Sequence, residues 1–457
     1  MSLGCCAPTT NLNSMCPQLA SLVSAISERG NAPLIHLISN QQSQQLSYAQ
    51  IAPIVAQQVE QLKEHSLSKS SLVAIGDLDQ HSMIITLLAL WQLEAVPVLL
   101  PRNLPSTKIP PLQQSLGLSA LITAKGVTTY SSPSPLKLPL TTGVVIFTSG
   151  TSGTPKGVVL TKSGLLLSAN STIDLYQIKP QDNWGVTLPL SHIGGLMILI
   201  RTLVAGSSLT ITNSSATPLI EMLGKRILAT NILSLVSTQL LRLLKDINSP
   251  QIEELKQYKS ILLGGGPLAP QMIERATRIG LPISPTYGMS ECCSQITALP
   301  PYHASSTANY SNQGPPLPHC QIKLGEGQEI MIQSQSLLTH YLVDGKLISP
   351  LSHGGSLATK DLGSIDGDGH LTVTGRSDLT FISGGENIDP QVIGQAMLEH
   401  PQIEWVEVKP KEHPEFGAVA CATYGSNDLV DAEELRNFLR KRVPPFMIPK
   451  EFIHSNR

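Results

Sequence analysis

Charge is scarce in this chain. Asp, Glu, Lys and Arg make up only 14% of its 457 residues, and 31 basic against 33 acidic side chains leave a formal net charge of −2. Without a basic excess there is no electrostatic footprint for nucleic acid or for an anionic membrane surface. Long apolar runs are missing too. None reaches the ~18 residues that span a bilayer, and the stretch around Ile84–Leu90 is short and interrupted. The N-terminus has no basic stretch ahead of an apolar core, so no secretory signal is expected. Cysteine is sparse and odd in number, at seven: Cys5, Cys6, Cys16, Cys292, Cys293, Cys320 and Cys421. They show no metal-ligand spacing, and two adjacent pairs are poor disulfide candidates. All seven read as reduced thiols of a cytoplasmic protein. These absences leave small molecules as the expected partners.

What the chain does have is material for a core. Hydrophobic residues are 41% of the total and the mean hydropathy is +0.08. The length exceeds one compact core and predicts two to four domains or subdomains. Predicted strands and helices alternate. Tyr48 to His65 is helical, Ser71 to Ile75 a buried strand, His81 to Glu94 a helix and Val96 to Leu100 a strand. The Pro-rich stretch Pro101 to Pro111 reads as loop. The pattern returns with a strand over Ile232 to Val236, a helix over Thr238 to Asp246 and a strand over Ser260 to Leu263, closed by Gly264-Gly265-Gly266. Such alternation predicts βαβ units, and ligands of open α/β sheets sit beyond the carboxyl ends of the strands. After about Gly314 strands shorten and Gly/Asp turns multiply; beyond Ser377 an α+β segment begins. The expected fold is therefore α/β: a large N-terminal domain (residues 1–377) of mainly parallel α/β sheets plus a β-rich subdomain, then a small α+β C-terminal domain (378–457).

The strongest chemical signal is TSGTSGTPKG, Thr148 to Gly157, directly after the buried strand Val144-Val145-Ile146-Phe147. Its glycines permit tight or left-handed turns. The hydroxyls of Thr148, Ser149, Thr151, Ser152 and Thr154, with the backbone N–H groups around Gly150 and Gly153, can surround phosphate oxygens. Lys156 adds a point charge. The loop suits the β- and γ-phosphates of ATP. It is not a Walker A loop, which ends in Gly-Lys-Ser/Thr; here Pro155-Lys156-Gly157 closes it.

This loop resembles the phosphate loop of the superfamily of acyl-CoA synthetases, peptide-synthetase adenylation domains and firefly luciferase. Other motifs follow in the same order: Leu188-Pro189-Leu190-Ser191-His192, Tyr287-Gly288-Met289-Ser290-Glu291, Gly375-Arg376-Ser377-Asp378 and Ser383-Gly384-Gly385-Glu386-Asn387-Ile388. The likeness covers nearly the whole chain. It implies adenine against Tyr287 and the backbone of Gly264 to Gly266 and Gly288, with Ser290 close by. Magnesium would sit on Glu291 and Thr151, and ribose hydroxyls on Asp361 and Arg376. Asp378 becomes the hinge, and Gly385 lies beside a tunnel for coenzyme A. His192, Lys156 and Glu291 are the implied catalytic groups. The family pattern has Thr-Gly before the ribose-binding Asp; this chain has Thr359-Lys360.

Within the superfamily, four stretches are similar to the ortho-succinylbenzoate–CoA ligases of bacterial menaquinone synthesis: His192-Ile193-Gly194-Gly195 with Arg201 downstream, Leu233 to Leu244, Tyr287 to Thr297, and Ala358 to Asp361. That acid carries two carboxylates. One is activated, so the other needs a donor, and Arg201 can supply it, with Ser234, Gln239 and Ser294 as polar neighbours. An adenylation domain for amino acids would offer a carboxylate near Ser234-Leu235, and none is there. The resemblance implies an acid–thiol ligase using ATP, Mg²⁺ and coenzyme A, with an aromatic carboxylic acid as substrate; a homodimer is compatible with it. The alternatives are another aryl- or fatty-acyl–CoA ligase, or a nucleotide-binding homologue with impaired catalysis. The family also ends on a Gly-Lys segment, whose lysine bridges carboxylate and α-phosphate. No match to it follows Pro449-Lys450, so the C-terminal domain reads as truncated and adenylation as weakened.

Overall fold

The computed structural model describes residues 19–455 apart from 25, 40–41, 102–103, 105, 132–135, 149–155, 213–229, 247–248, 267, 269, 302–311 and 427. Two eight-stranded sheets form its centre. In the first, Ile283–Met289, Ser260–Leu263, Ile232–Leu235, Asn183–Gly185, Ser208–Thr212 and Pro33–Ser39 run parallel in that order. Antiparallel Ser294–Ala298 and Gln42–Ser47 flank them. The second keeps Ala120–Thr123, Leu72–Ile75, Val96–Leu99 and Thr142–Thr148 parallel and adds antiparallel strands on both sides.

Burial explains these strands. Leu72–Ile75, Val96–Leu99, Ile232–Leu235 and Ser260–Leu263 are buried at every position, as strands covered on both faces must be. The helix Gln80–Gln92 follows the same logic. Nine consecutive residues, Met83 to Trp91, are buried, so the helix is apolar all round. Asp79 caps its start by accepting from Ser82 N at 3.0 Å, and Trp91 Nε1 donates to Gly143 O at 3.0 Å. One apolar cluster joins this helix to both sheets.

The Pro-rich stretch departs from expectation. A helix, Ile109–Leu116, begins inside it, with Pro110 and Pro111 in its first turn. The first N–H groups of a helix have no intrahelical acceptor, so proline loses no bond there, and its fixed φ favours the turn.

Two antiparallel sheets complete the molecule. Cys320–Leu324, Glu329–Ser334, Ser356–Ile365 and Leu371–Arg376 form the β-rich part. The last sheet is built wholly from later chain: Phe381–Ser383, Glu386–Ile388, Trp405–His413, Gly417–Gly425 and Glu451–His454. With the helices Pro390–Leu398 and Ala432–Leu439 it encloses its own apolar cluster. No described helix is long and apolar enough to cross a membrane.

Candidate active site

The parallel strands of the first sheet deliver their carboxyl ends to one cavity of about 1000 Å³. Ile232–Leu235 brings Val236 and Thr238, Ser260–Leu263 brings Gly264 to Gly266, and Ile283–Met289 brings Tyr287 to Glu291. Close approach of a neighbouring strand fixes two glycines. A Cβ on Gly264 would lie 2.5 Å from Thr286 Oγ1, and one on Gly288 would lie 1.9 Å from Ser294 O. The second contact closes the bulged hairpin between Tyr287 and Ser294. Cys293 and Ser294 both adopt positive φ, +55° and +90°, strain of the kind that clusters at functional sites. Two hydroxyls hold this turn: Ser168 Oγ donates to Cys293 O at 2.6 Å, and Ser336 Oγ donates to Cys292 O at 3.1 Å.

Opposite the glycines stands a carboxylate–guanidinium pair. Asp361 Oδ1 accepts from Arg376 Nη1 at 2.7 Å, and Oδ2 accepts from the Tyr287 hydroxyl at 2.6 Å. Burial pushes the Asp361 carboxyl upward, and its two donors only partly reverse this. Arg376 also reaches Asp378, with Nε to Oδ1 at 2.9 Å and Nη2 to Oδ2 at 3.1 Å. Burial works against the guanidinium charge, but Asp378 and Asp361 overcome it and its pKa rises. The same fork holds the Asp378 carboxyl below its usual range. One arginine thus links the cavity to the expected hinge. Lys360 has φ +63°, which accounts physically for the glycine in the family pattern at this place.

Glu291 lines the cavity beside the Tyr341 hydroxyl, which donates to its Oε1 at 2.9 Å. Lys156 Nζ lies 5.6 Å from the Tyr341 ring centroid. Lys156 is therefore linked to the cavity-lining Glu291 through Tyr341 and is not itself among the lining residues. No group of three or more His, Cys, Asp or Glu side chains able to hold a metal occurs among the described residues. A lone carboxylate suits Mg²⁺, which takes most of its oxygens from phosphates and water. Thr148 lines the cavity, whereas Ser149, Gly150, Thr151, Ser152, Gly153 and Thr154 lie outside the described residues, as do Cys5, Cys6 and Cys16.

One end of the cavity is organised around Arg201. It lies in the helix Ile193–Ala205, whose N-cap is His192, and a Cβ on Gly195 would lie 2.2 Å from Pro189 O. His192 is exposed at the cavity mouth, and Arg201 is only 2% exposed. Arg201 Nη2 donates to Ser294 Oγ at 3.3 Å, its guanidinium carbon sits 5.5 Å from the Trp184 ring centroid, and Nε has no acceptor. No described carboxylate pairs with it, and burial pushes its pKa down to about 10. Ser234 Oγ accepts from Trp184 Nε1 at 3.2 Å. The Gln239 amide is committed to backbone: Nε2 donates to Thr187 O at 2.9 Å and Oε1 accepts from Val236 N at 3.1 Å. Gln239 therefore reaches the cavity wall as a clamp on its loop. Gly385 sits in an exposed turn and is not among the cavity-lining residues.

Several site residues carry no signal readable from sequence. Gln295 is buried at the cavity wall with Nε2 unpartnered. His319, outside the cavity lining but near Arg201, has both ring nitrogens buried and unpartnered. Asp389, Gln395, Glu399 and Arg442 enter the wall from the C-terminal body. Cys292, Cys293 and Cys320 are buried and free, and burial raises all three thiols, which disfavours the reactive thiolate.

His319 yields a pH prediction. Burial first, then the nearby Arg201 charge, lowers its pKa from 6.5 to about 4. A depressed folded-state pKa gives stability that is complete above pH 6.5 and is lost as pH falls toward 4. Allowing for partial exposure, the loss is on the order of 2 kcal/mol. His319→Gln should flatten the stability profile over this window in denaturant titrations. An unchanged profile would place the acid sensitivity elsewhere.

Parallel strands that carry glycine turns to one cavity, facing a buried carboxylate–guanidinium pair, place the protein among the nucleotide-handling α/β enzymes. Its family is more specific. The chain belongs to the AMP-binding enzyme family, whose profile matches residues 133–342. It is 31% identical over 383 residues to the 2-succinylbenzoate–CoA ligase of Salmonella typhimurium strain LT2, covering 80% of each chain. It is 32% identical over 326 residues to the enzyme of that name from Bacillus subtilis strain 168, covering 69% of this chain and spanning 65% of that relative's length. Among solved structures it is similar to o-succinylbenzoate CoA synthetase from Bacillus subtilis. With the acyl-adenylate OSB-AMP bound, that structure gives a TM-score of 0.79 at 26% identity over 95% of this chain and 94% of the other. With ATP and magnesium bound, it gives 0.79 at 27% identity over 95% and 96%.

Proposed function

We propose that this chain is an AMP-forming ligase that joins 2-succinylbenzoate to coenzyme A for menaquinone synthesis in the cytoplasm. The observation that carries the substrate is Arg201, a buried cation with no anionic partner, at the cavity wall beside Ser294 and Gln295. An unpaired buried charge costs several kcal/mol, and a substrate carboxylate supplies the missing partner. The relatives named for this activity support the same reading.

In this reading residues 1–377 hold nucleotide and acid, and residues 378–457 move about Asp378. The Thr148–Gly157 segment and Lys156 take the outer phosphates. Tyr287, Gly288, Ser290 and Gly264 to Gly266 take adenine, and Asp361 and Arg376 take ribose. Glu291, with Thr151, would hold Mg²⁺, which supplies charge neutralisation at the phosphates. The aliphatic carboxylate of the acid attacks the α-phosphorus; a new P–O bond forms, the α–β bridge breaks and pyrophosphate leaves. Positioning and electrostatics dominate such a step. The thiol of coenzyme A, entering through a tunnel near Gly385 with His192 as the gate and losing its proton to solvent, then adds to the acyl carbon, and AMP leaves.

Pyrophosphate release with ATP, Mg²⁺ and a panel of acids tests the proposal. Release confined to 2-succinylbenzoate, with AMP and the thioester as later products, is expected. Release with monocarboxylic fatty or aryl acids instead would overturn the substrate assignment.

A further inference from the structure

The helix Ser237–Asp246 touches both bodies of the protein. At its start, Val236, Thr238 and Gln239 line the cavity. At its end, Lys245 reaches the segment after the helix Pro390–Leu398. Its Nζ donates to the carbonyls of His400 at 3.2 Å, Pro401 at 3.3 Å and Ile403 at 3.1 Å. An ammonium has three N–H donors, and three backbone carbonyls receive them. These carbonyls lie just past a helix C-terminus, where partial negative charge gathers and cations are favoured. Lys245 thus docks, from outside the C-terminal body, on the turn that follows one of that body's helices. Apolar packing runs the same way: Leu398, the last residue of that helix, packs both on the cluster around Leu240 and Leu244 and on the core of its own body.

We propose that Lys245 is a positioning residue that latches the C-terminal body in the orientation serving the first half-reaction. This rests on the ligase reading above. In the observed orientation Asp389, Gln395, Glu399 and Arg442 wall the cavity, and the body approaches closely enough that a Cβ on Gly375 would lie 2.3 Å from Asp389 Oδ2. Adenylation needs only nucleotide and acid, and closure around them keeps water out. Thiol transfer must admit a bulky third reactant through the same wall. The closed orientation therefore suits the first step and must be released for the second. Lys245 is built for release, because its exposed ammonium passes to water without leaving a buried charge behind. Since the helix that carries the latch also begins at the acid pocket, filling that pocket is coupled to the latch through one rigid element.

The test separates the half-reactions. In Lys245→Ala, acid-dependent exchange of pyrophosphate into ATP should fall about 5- to 20-fold, the usual size of such couplings. Thiolysis of purified succinylbenzoyl-adenylate by coenzyme A should keep or exceed the wild-type rate. Lys245→Arg, which can still donate to the carbonyls, should restore exchange. Amide hydrogen exchange on the full chain gives an independent reading: residues 396–404 should lose protection in Lys245→Ala while Ser260–Leu263 keeps it. Exchange and thiolysis falling together, neither changing, or unaltered protection at 396–404 would each overturn the latch. If the wild-type chain exchanges no pyrophosphate with any acid, the ligase reading fails, and protection at 396–404 alone then decides the latch, its loss supporting it and its persistence overturning it.

Discussion

Arg201→Met should make the protein more stable and nearly inactive toward a dicarboxylic acid. The guanidinium is buried with Ser294 Oγ at 3.3 Å and the Trp184 ring as its neighbours, and Nε has no acceptor. Its pKa falls from 12.5 to about 10. The folded state therefore disfavours the cation, at a cost of about 3 kcal/mol that is fully present at neutral pH. A methionine of similar length removes that cost and still fills the space, and such replacements of buried charge stabilise by roughly 1–4 kcal/mol. The catalytic effect runs the opposite way. Two charge-assisted hydrogen bonds to a substrate carboxylate contribute roughly 1.5–3 kcal/mol each, so kcat/KM for 2-succinylbenzoate should drop on the order of 100- to 10,000-fold. Thermal unfolding and pyrophosphate-release kinetics on one preparation check both halves. A lower melting temperature with intact kcat/KM would make Arg201 a structural residue and remove the main support for a dicarboxylic substrate.

That a single side chain carries so much of the substrate assignment bears on how much the sequence alone discloses. Periodicity and turn residues locate the strands over Ile232 to Val236 and Ser260 to Leu263, and the helices over Tyr48 to His65 and Thr238 to Asp246, because buried strands and capped helices are written in local pattern. Motif residues such as Asp361, Arg376 and Glu291 are legible because their chemistry recurs in one order along related chains. Pro110 and Pro111 mislead because the same residue that breaks a helix interior favours its first turn. The rest is not local at all. Gln295 follows a predicted site residue, yet nothing in its neighbours distinguishes an amide with an unpartnered Nε2 at a cavity wall from one fully paired in the core. His319 faces Arg201 only because the β-rich part folds back onto the first sheet. Gln391, Gln395 and Glu399 fall at four-residue spacing on one helical face, but what that face meets depends on where the C-terminal body docks. The commitment of Gln239 to Thr187 and Val236 also emerges only from tertiary structure.

The ribose end gives the second large effect. Asp361→Asn keeps the shape of the side chain and replaces one acceptor oxygen with a donor. The carboxylate already receives Arg376 Nη1 on one oxygen and the Tyr287 hydroxyl on the other. Asparagine must keep its single oxygen toward Arg376, since two donors cannot face each other, and so turns its amide N–H₂ toward Tyr287. The remaining acceptor capacity for the two ribose hydroxyls is then halved, from two lone-pair sites to one, and its charge is gone. Losing two charge-assisted bonds predicts a fall in kcat/KM for ATP on the order of 100- to 10,000-fold, with AMP binding weakened in calorimetry to the same extent. The fold should persist, because burial holds the Asp361 carboxyl above its usual range and a neutral side chain is the easier one to bury there. Asp378→Asn provides the contrast. It lies on the far side of the Arg376 fork, so it should leave AMP affinity within a few-fold of wild type while changing the balance between the two half-reactions. Equal losses of AMP affinity in both variants would mean that the arginine fork acts as one nucleotide-binding unit, and the separation of ribose contact from hinge would fail.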